Sequence, residues 1–418
     1  MSQKIIFHID VNSAFLSWEA VFRLKHKMED VDLRTIPSAV GGSKEKRHGI
    51  ILAKSEPAKR FGVKTAETLS DATRKCPNLV IVPPRFDLYE KSSAAFMSIL
   101  REYTPHVEQY SIDEAFMDMT DSVYLFGSPI VVANLIKDRI YTELGFTVNV
   151  GVSSNKLLAK MASDFKKPNL VHTLFPEEIE TKMWPLPVED LFFVGRATKK
   201  KLNTLGLFTI GDLANADLSI IKSHLGKHGE LIHNYANGID VGNVITHAPA
   251  NKGYGNSTTI DHDVTDPGEA KQILLSLCET VCSRLRADSV LICVACVSIK
   301  NCYLTSGSHQ KTLMSPTNVV SELHRHICQL FDEYWDGTPI RQLGVHTSKI
   351  TTNENQQLNL FDMDLFIRQG NLEKTVDQIR NKFGNDSIVR ATFLNNDTHH
   401  MSGGIKRENK KGDDDTFL

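Results

Sequence analysis

Two periodicities alternate along this chain. "KIIFHI" (4–9) is an unbroken apolar run ending at Asp10, which predicts a buried strand with a carboxylate at its edge. Phe15, Trp18, Val21 and Phe22 then recur at helical spacing, so Asp10 sits where strand hands over to helix. Further buried strands are expected at 78–84 and 146–153, a strand pair at 107–119, and helices at 87–103, 129–144 and 155–165. Residues 33–77 read as an insertion, with "GGSKEKRHGI" as a turn. Residues 166–240 lack a strand pattern and read as small helices. After the Gly/Asn/Pro-rich "HAPANKGYGNS" (247–257), a strand-like run at 290–299 lies between helices at 267–286 and 316–335. "SKITTNENQQ" reads as a polar tether, 371–383 as helix, and "GGIKRENKKGDDDTFL" as a disordered tail. No internal repeat is evident.

The length, 418 residues, exceeds one core and predicts two to four domains. With 41% hydrophobic and 23% charged residues the composition is that of a globular chain. No apolar run approaches the roughly 20 residues of a membrane span, and no signal peptide is apparent, so a cytoplasmic protein without membrane partners is expected. Seven cysteines argue against a disulfide framework. Cys293 and Cys296 form a C-x-x-C, but within a strand pattern that turns their side chains apart, so buried thiols are expected there. The net charge of −2 announces no nucleic-acid partner. Residues 33–77 nevertheless carry ten Lys/Arg against four acids, a local excess suited either to a solvated face or to a polyanion such as a triphosphate.

The candidate chemistry centres on "YSIDEAFMDM" (110–119). Asp113 and Glu114 stand side by side in an apolar run, an arrangement that costs free energy unless a cation pairs with them. Strands of one sheet can bring Asp10 to them. Such a group of hard oxygens suits Mg2+, with phosphates completing its shell. By spacing alone, surface carboxylates or ordinary ion pairs remain open.

The ordered set "FHIDVNSAF", "AKRFGVK", "YSIDEAFMDM", "GVSSNKLLAKMASDFKKPN" and "LGLFTIGDLA" resembles the Y-family, or translesion, DNA polymerases of the DinB/UmuC and ImpB/MucB/SamB type, over about residues 4–350. The resemblance implies an α+β right hand. Palm would be 1–32 and 78–165, small fingers 33–77, and a helical thumb with a helix–hairpin–helix 166–240. A linker (241–256), an α+β little finger (257–350) and a C-terminal tether and tail (351–418) would follow. It implies a low-fidelity, template-directed DNA polymerase that extends a primer 3′-hydroxyl with dNTPs past damaged template. Two Mg2+ ions would be held by Asp10, Asp113, Glu114 and the carbonyl of Val11, the three carboxylates being catalytic. Phe15 matches the steric gate against a 2′-hydroxyl. Ser55 and Lys59 match the nucleotide-binding stretch, although this chain reads "SEPAK" where relatives carry a Tyr and an Arg; Glu56 takes the Tyr position. Lys156 matches a triphosphate contact; Lys160, one turn on, reads equally well as a solvated lysine. Gly195, Lys199, Lys200 and Lys201 match the DNA-binding hairpin, with Phe193 where a glycine is common. Residues 251–350 hold nine Lys/Arg and ten Asp/Glu, so a DNA grip there requires the cations, Arg284 and Arg286 among them, to share one face.

"QLNLF" is similar to the bacterial sliding-clamp pentapeptide, with Gln357, Leu358, Leu360 and Phe361 as clamp contacts; its other reading is the start of the next helix. Expected partners are therefore primer–template DNA, dNTPs, the sliding clamp and, as in UmuC-type enzymes, an accessory activator. Two rival functions remain: a palm-based nucleotidyl cyclase, and a catalytically silent clamp- and DNA-binding subunit.

Overall fold

The computed structural model describes residues 4–28, 31–42, 49–247, 250–352, 363–394 and 399–401, with the side chains of its last helix described from residue 368. The chain divides into two compact units at residues 248–249.

The first unit begins with β1 (Ile6–Val11) and α1 (Ala14–Lys25). Next come β2 (Ser38–Gly41), β3 (Ile51–Lys54), α2 (Glu56–Arg60), α3 (Leu69–Lys75) and β4 (Val80–Val82). Then follow α4 (Phe86–Arg101), β5 (Val107–Gln109), β6 (Glu114–Asp118), α5 (Pro129–Leu144), β7 (Val148–Ser153), α6 (Lys156–Asp164) and β8 (Val171–Thr173). Three helices close the unit: α7 (Arg196–Thr204), α8 (Ile210–Ala214) and α9 (Leu218–Ala236). The main sheet has the order β5-β6-β1-β7-β8, with only β7–β8 parallel among these pairs.

Strand alternation sorts β1 into two faces. Phe7, Ile9 and Val11 enter the large core with α1, α4 and α5. Ile6, His8 and Asp10 occupy alternate positions, and Ile6 joins Phe116 and Ala159 of α6 on the opposite side. Gly151 makes α6's approach possible: a Cβ there would lie 1.9 Å from the Ala159 carbonyl oxygen. Charged and polar residues of β1 and β6 thus lie under α6.

A small sheet, β3-β2-β4, carries its own core of Ala39, Ile51, Ala58, Val63, Leu69 and Ala72. The strand expected at 78–84 belongs here, as β4 paired in parallel with β2, and not to the main sheet, where a palm reaching over 78–165 would put it. Its apolar run revealed burial but not which sheet would take it.

The second unit contains β9 (Gly253–Val264), α10 (Pro267–Ala287), β10 (Val290–Asn301), β11 (Ser306–Thr317), α11 (Val320–Tyr334), β12 (Ile340–Thr352) and α12 (Met363–Phe383). Its sheet, β11-β10-β12-β9, is antiparallel throughout, and α10 and α11 pack into its core with Leu277, Val281, Leu323 and Ile327. β9 starts inside the stretch expected to be linker, because the polar alternation of "GYGNSTTIDHDV" hid a strand with one exposed face. All seven cysteines are free.

Candidate active site

Asp10 and Glu114 are direct cross-strand partners, and β1 continues with Val11 N–H donating to the Asp113 carbonyl at 3.0 Å. The three carboxylates therefore gather at one sheet end. Asp113 is fixed by its turn: Ser111 Oγ donates to Asp113 Oδ1 at 2.7 Å, and the Glu114 amide donates to Ser111 Oγ at 3.0 Å.

The cations come from α6 and the loop after it. Lys160 Nζ lies 3.0 Å from both Glu114 oxygens. Lys167 pairs with Asp10, and with Asp164 Oδ1 at 2.8 Å. That loop is tied down by amides: Asn169 N–H donates to Asn12 Oδ1 at 3.0 Å, and Asn149 Nδ2 donates to the Lys166 carbonyl at 2.7 Å. Below Glu114 lies His8, with Nδ1 against Ser163 Oγ at 2.8 Å and Nε2 3.8 Å from Glu114, too long for a hydrogen bond.

These surroundings push the two acids apart. Burial would raise the Glu114 carboxyl, but His8 and Lys160 outweigh it and hold it at about 2. Asp10 is 8% exposed, and burial lifts its carboxyl to about 6 against the pull of Lys167. Burial also lowers the His8 imidazole, which favours its neutral form.

Phe15 projects from the first turn of α1, half-buried. Its ring stacks on Tyr89 (4.7 Å, 14°) and meets Phe86 edge-on at 6.2 Å. Tyr89 is buried and reaches the fully buried Glu19, which pairs with Arg23 at 2.8 Å and Arg85 at 2.7 Å. The aromatic wall behind Phe15 is thus held by an ion network.

Three family models match in chain order. The impB/mucB/samB family covers residues 9–164, the thumb domain of DNA polymerase-iota covers 189–240, and the impB/mucB/samB C-terminal domain covers 251–360. The DNA polymerase IV of Clostridium acetobutylicum is 45% identical over 391 residues, 94% of this chain and 98% of that protein. DNA polymerase IV 2 of Bacillus subtilis is 39% identical over 94% of this chain and 95% of its own length. The chain belongs to the impB/mucB/samB family of Y-family DNA polymerases. A solved Y-family DNA polymerase chimera, Dbh-Dpo4(243-245)-Dbh, superposes with a TM-score of 0.71 over 84% of this chain and 100% of its own, at 23% identity, and so shares the fold.

Within this Y-family fold the other expected site residues have the following surroundings. Lys156 does not meet the dyad. Its ammonium binds both oxygens of Glu108 at 2.7 Å, over the Phe116 ring, and Glu108 also accepts from the Ile245 amide at 2.7 Å. It clamps the segment after α9 onto β5. Lys160 pairs with Glu114 and Lys167 with Asp10; by sequence Lys160 reads equally well as a solvated lysine and Lys167 carries no role. Their i, i+4 spacing could have shown that Lys156 and Lys160 share a helix face, but not which acid each meets. Ser55 is also turned inward: it is 2% exposed, caps α2 by accepting from the Ala58 amide at 3.1 Å, and donates to the Ile36 carbonyl at 2.8 Å. Its hydroxyl is spent on the fold. Lys59 is exposed, 3.4 Å from Glu56.

In the thumb, Gly195 caps the N-terminus of α7, and a Cβ there would meet nothing within 4 Å. Arg196, Lys199, Lys200, Asn203 and Thr204 line a shallow cavity of about 400 Å³ along α7. Lys200 and Lys201 are exposed, while Lys199 pairs with Glu189 at 2.5 Å. Phe193 stands exposed at φ 71°, the backbone region a glycine would take without cost. In the second unit, Arg286 is not available to a DNA-facing surface: it is buried against Glu373 and Asp377, each at 2.5 Å. The pentapeptide Gln357–Phe361 lies outside the described residues. No helix among the described residues is long and apolar enough to cross a membrane.

Proposed function

We propose that this Y-family DNA polymerase carries out template-directed primer extension at the sheet end where Asp10, Asp113 and Glu114 converge. The single observation that supports this most is the Asp10–Glu114 register beside Asp113, with two lysine ammoniums already balancing the charge. The donors fit the expected Mg2+: they are hard carboxylate oxygens, joined by the backbone at Val11, which ends β1. Bound Mg2+ would supply charge neutralisation at the attacking and leaving oxygens of phosphoryl transfer. The remaining work falls to the protein. Asp10 and Glu114 orient the cation site, Ser111 holds Asp113 in place, and Phe15 sets the floor for the sugar. Lys160 and Lys167, in place of Lys156, are the ammoniums placed to receive triphosphate oxygens once the carboxylates have other partners.

Gly195 and the cations of α7 are suited to phosphates of the duplex, through the helix N-terminus and point charges. Lys59 offers a weaker nucleotide contact because Glu56 partly neutralises it. Gln357, Leu358, Leu360 and Phe361 would recruit the bacterial sliding clamp, raising the local concentration of polymerase at the primer end. An accessory activator remains open to the same assays.

The test is extension of a primed oligonucleotide by chelator-treated protein with Mg2+ restored. Incorporation directed by template identity is expected. Cyclic nucleotide product without primer growth, or no product beside intact DNA binding, overturns the reading.

A further inference from the structure

After α12 the described residues form two short 3-10 turns, Asn385–Ser387 and Ala391–Phe393, and a short stretch at 399–401. It places two adjacent histidines against one carboxylate. His400 Nε2 lies 2.9 Å from Asp386 Oδ1, and His399 Nε2 lies 3.7 Å from the same oxygen. The three donor atoms all fall within 4.8 Å of one another, the one such group of three found among the described residues. Adjacent side chains commonly diverge; here the two rings stack at 5.0 Å and 22°.

We propose that Asp386, His399 and His400 form a binding site for a divalent transition ion, with zinc the natural occupant. The spacing agrees with the chemistry. Tetrahedral bonds of about 2.0 Å set donor atoms about 3.3 Å apart, and the two measured spacings bracket that value. Two imidazoles and one carboxylate are borderline donors, suited to Zn2+ or Co2+ and poorly suited to Mg2+. The site is therefore chemically distinct from the catalytic carboxylates.

His400 is the buried member of the group, 5% exposed, and the nitrogen it turns to Asp386 is Nε2. His399 is oriented by its own turn, with Nδ1 3.1 Å from the Met401 carbonyl. The Met401 amide donates to the same Nδ1 at 3.2 Å, so the turn fixes the ring, and Nε2 gives up its proton when an ion binds.

Both sides of the site rest on ordered structure. Arg380 donates twice to the Ile388 carbonyl, at 3.1 and 2.9 Å, and Ser387 Oγ donates to the Gly384 carbonyl at 2.6 Å, fixing the turn that carries Asp386. Phe393 is buried, with its ring 6.4 Å from that of His400. An ion here would join the turn that carries Asp386 to the stretch that carries His399 and His400. Asp386 is exposed, so the fourth coordination position is open to solvent.

The experiment uses tag-free, full-length protein stripped with chelator and kept in excess Mg2+, so that the catalytic carboxylates do not compete. Zn2+ is titrated against a chromophoric chelator, and Co2+ absorption reports the coordination geometry. The parent is expected to take up a single Zn2+ per chain and to give the intense visible bands of tetrahedral Co2+. Asp386→Asn and the double variant His399→Ala/His400→Ala should bind about tenfold more weakly or worse. Asp386→Asn alters an exposed side chain, so it decides the question should the double variant fold poorly. Absence of stoichiometric uptake by the parent overturns the proposal and leaves Asp386 and the histidines as ion pairs only. Uptake at parental strength in Asp386→Asn overturns it equally.

Discussion

The acids at the end of the main sheet and those along α10 and α12 take different cations. At the proposed catalytic end of the first unit the partners are lysines: Lys160 on Glu114 and Lys167 on Asp10. Along α10 and α12 in the second unit they are arginines. Glu279, 3% exposed, is held by Arg380 at 2.7 Å and by Arg390, and Arg286 holds Glu373 and Asp377. A guanidinium fork fixes a carboxylate in one geometry, whereas an ammonium is a point charge on a flexible stem. The first kind of pair can yield its carboxylate to a metal or its cation to a phosphate. The second has no such freedom and serves to seat α12 on α10. A buried arginine pair thus speaks for architecture, along α10 and α12 as at Glu19 with Arg23 and Arg85, whereas the lysine pairs of the sheet end can be exchanged.

Substitutions separate the two. The largest effect is expected at Asp113→Ala, which should abolish primer extension while DNA affinity, carried by phosphate contacts, stays near parental in a binding titration. Extension at the parental rate would remove Asp113 from the metal site. Next comes Glu279→Ala. Two arginines lose their acid, one of them buried, and stability of the second unit should drop by about 3–5 kcal/mol in chemical denaturation. A change below about 1 kcal/mol would mean that α12 is held by other contacts.

Phe15→Ala should raise ribonucleotide insertion strongly, shifting the ratio of specificity constants by well over tenfold, or more than about 1.4 kcal/mol between transition states. The measurement is single-nucleotide insertion with matched ribo- and deoxyribonucleotides; an unchanged ratio would make Phe15 a core residue only. Replacing Leu360 and Phe361 with Ala should leave extension on short oligonucleotides unchanged and remove stimulation by the sliding clamp. Unaltered clamp affinity would count against the pentapeptide. The smallest effect is expected with pH. Asp10 accepts a proton at about 6, and the neutral carboxyl is a poor ligand, so the Mg2+ concentration needed for half-maximal extension should rise as pH falls through 6. Glu114, at about 2, stays ionised over that range. A Mg2+ requirement flat between pH 5 and 7 would show that Asp10 remains ionised throughout it.

The sequence by itself determined the succession of elements that carry the site. An apolar run ending in an acid, a helical period with Phe15 on its first turn, and an acidic pair in a hairpin are local patterns, and they fold locally as written. The helices at 129–144 and 267–286 follow from period alone and appear as Pro129–Leu144 and Pro267–Ala287. Tertiary structure decided the partners. Lys156 and Lys160 look alike one helical turn apart, yet one faces Glu108 and the other Glu114, because α6 crosses the sheet with its two turns over different strands. Ser55 lies in a loop-like sequence but is turned inward by the capping of α2. Arg286 reads as a free cation until α12, some 90 residues later, brings Glu373 and Asp377 against it. A residue's period fixes the face it occupies, but which charge it meets there depends on chain brought in from far along the sequence, and no local pattern encodes that encounter.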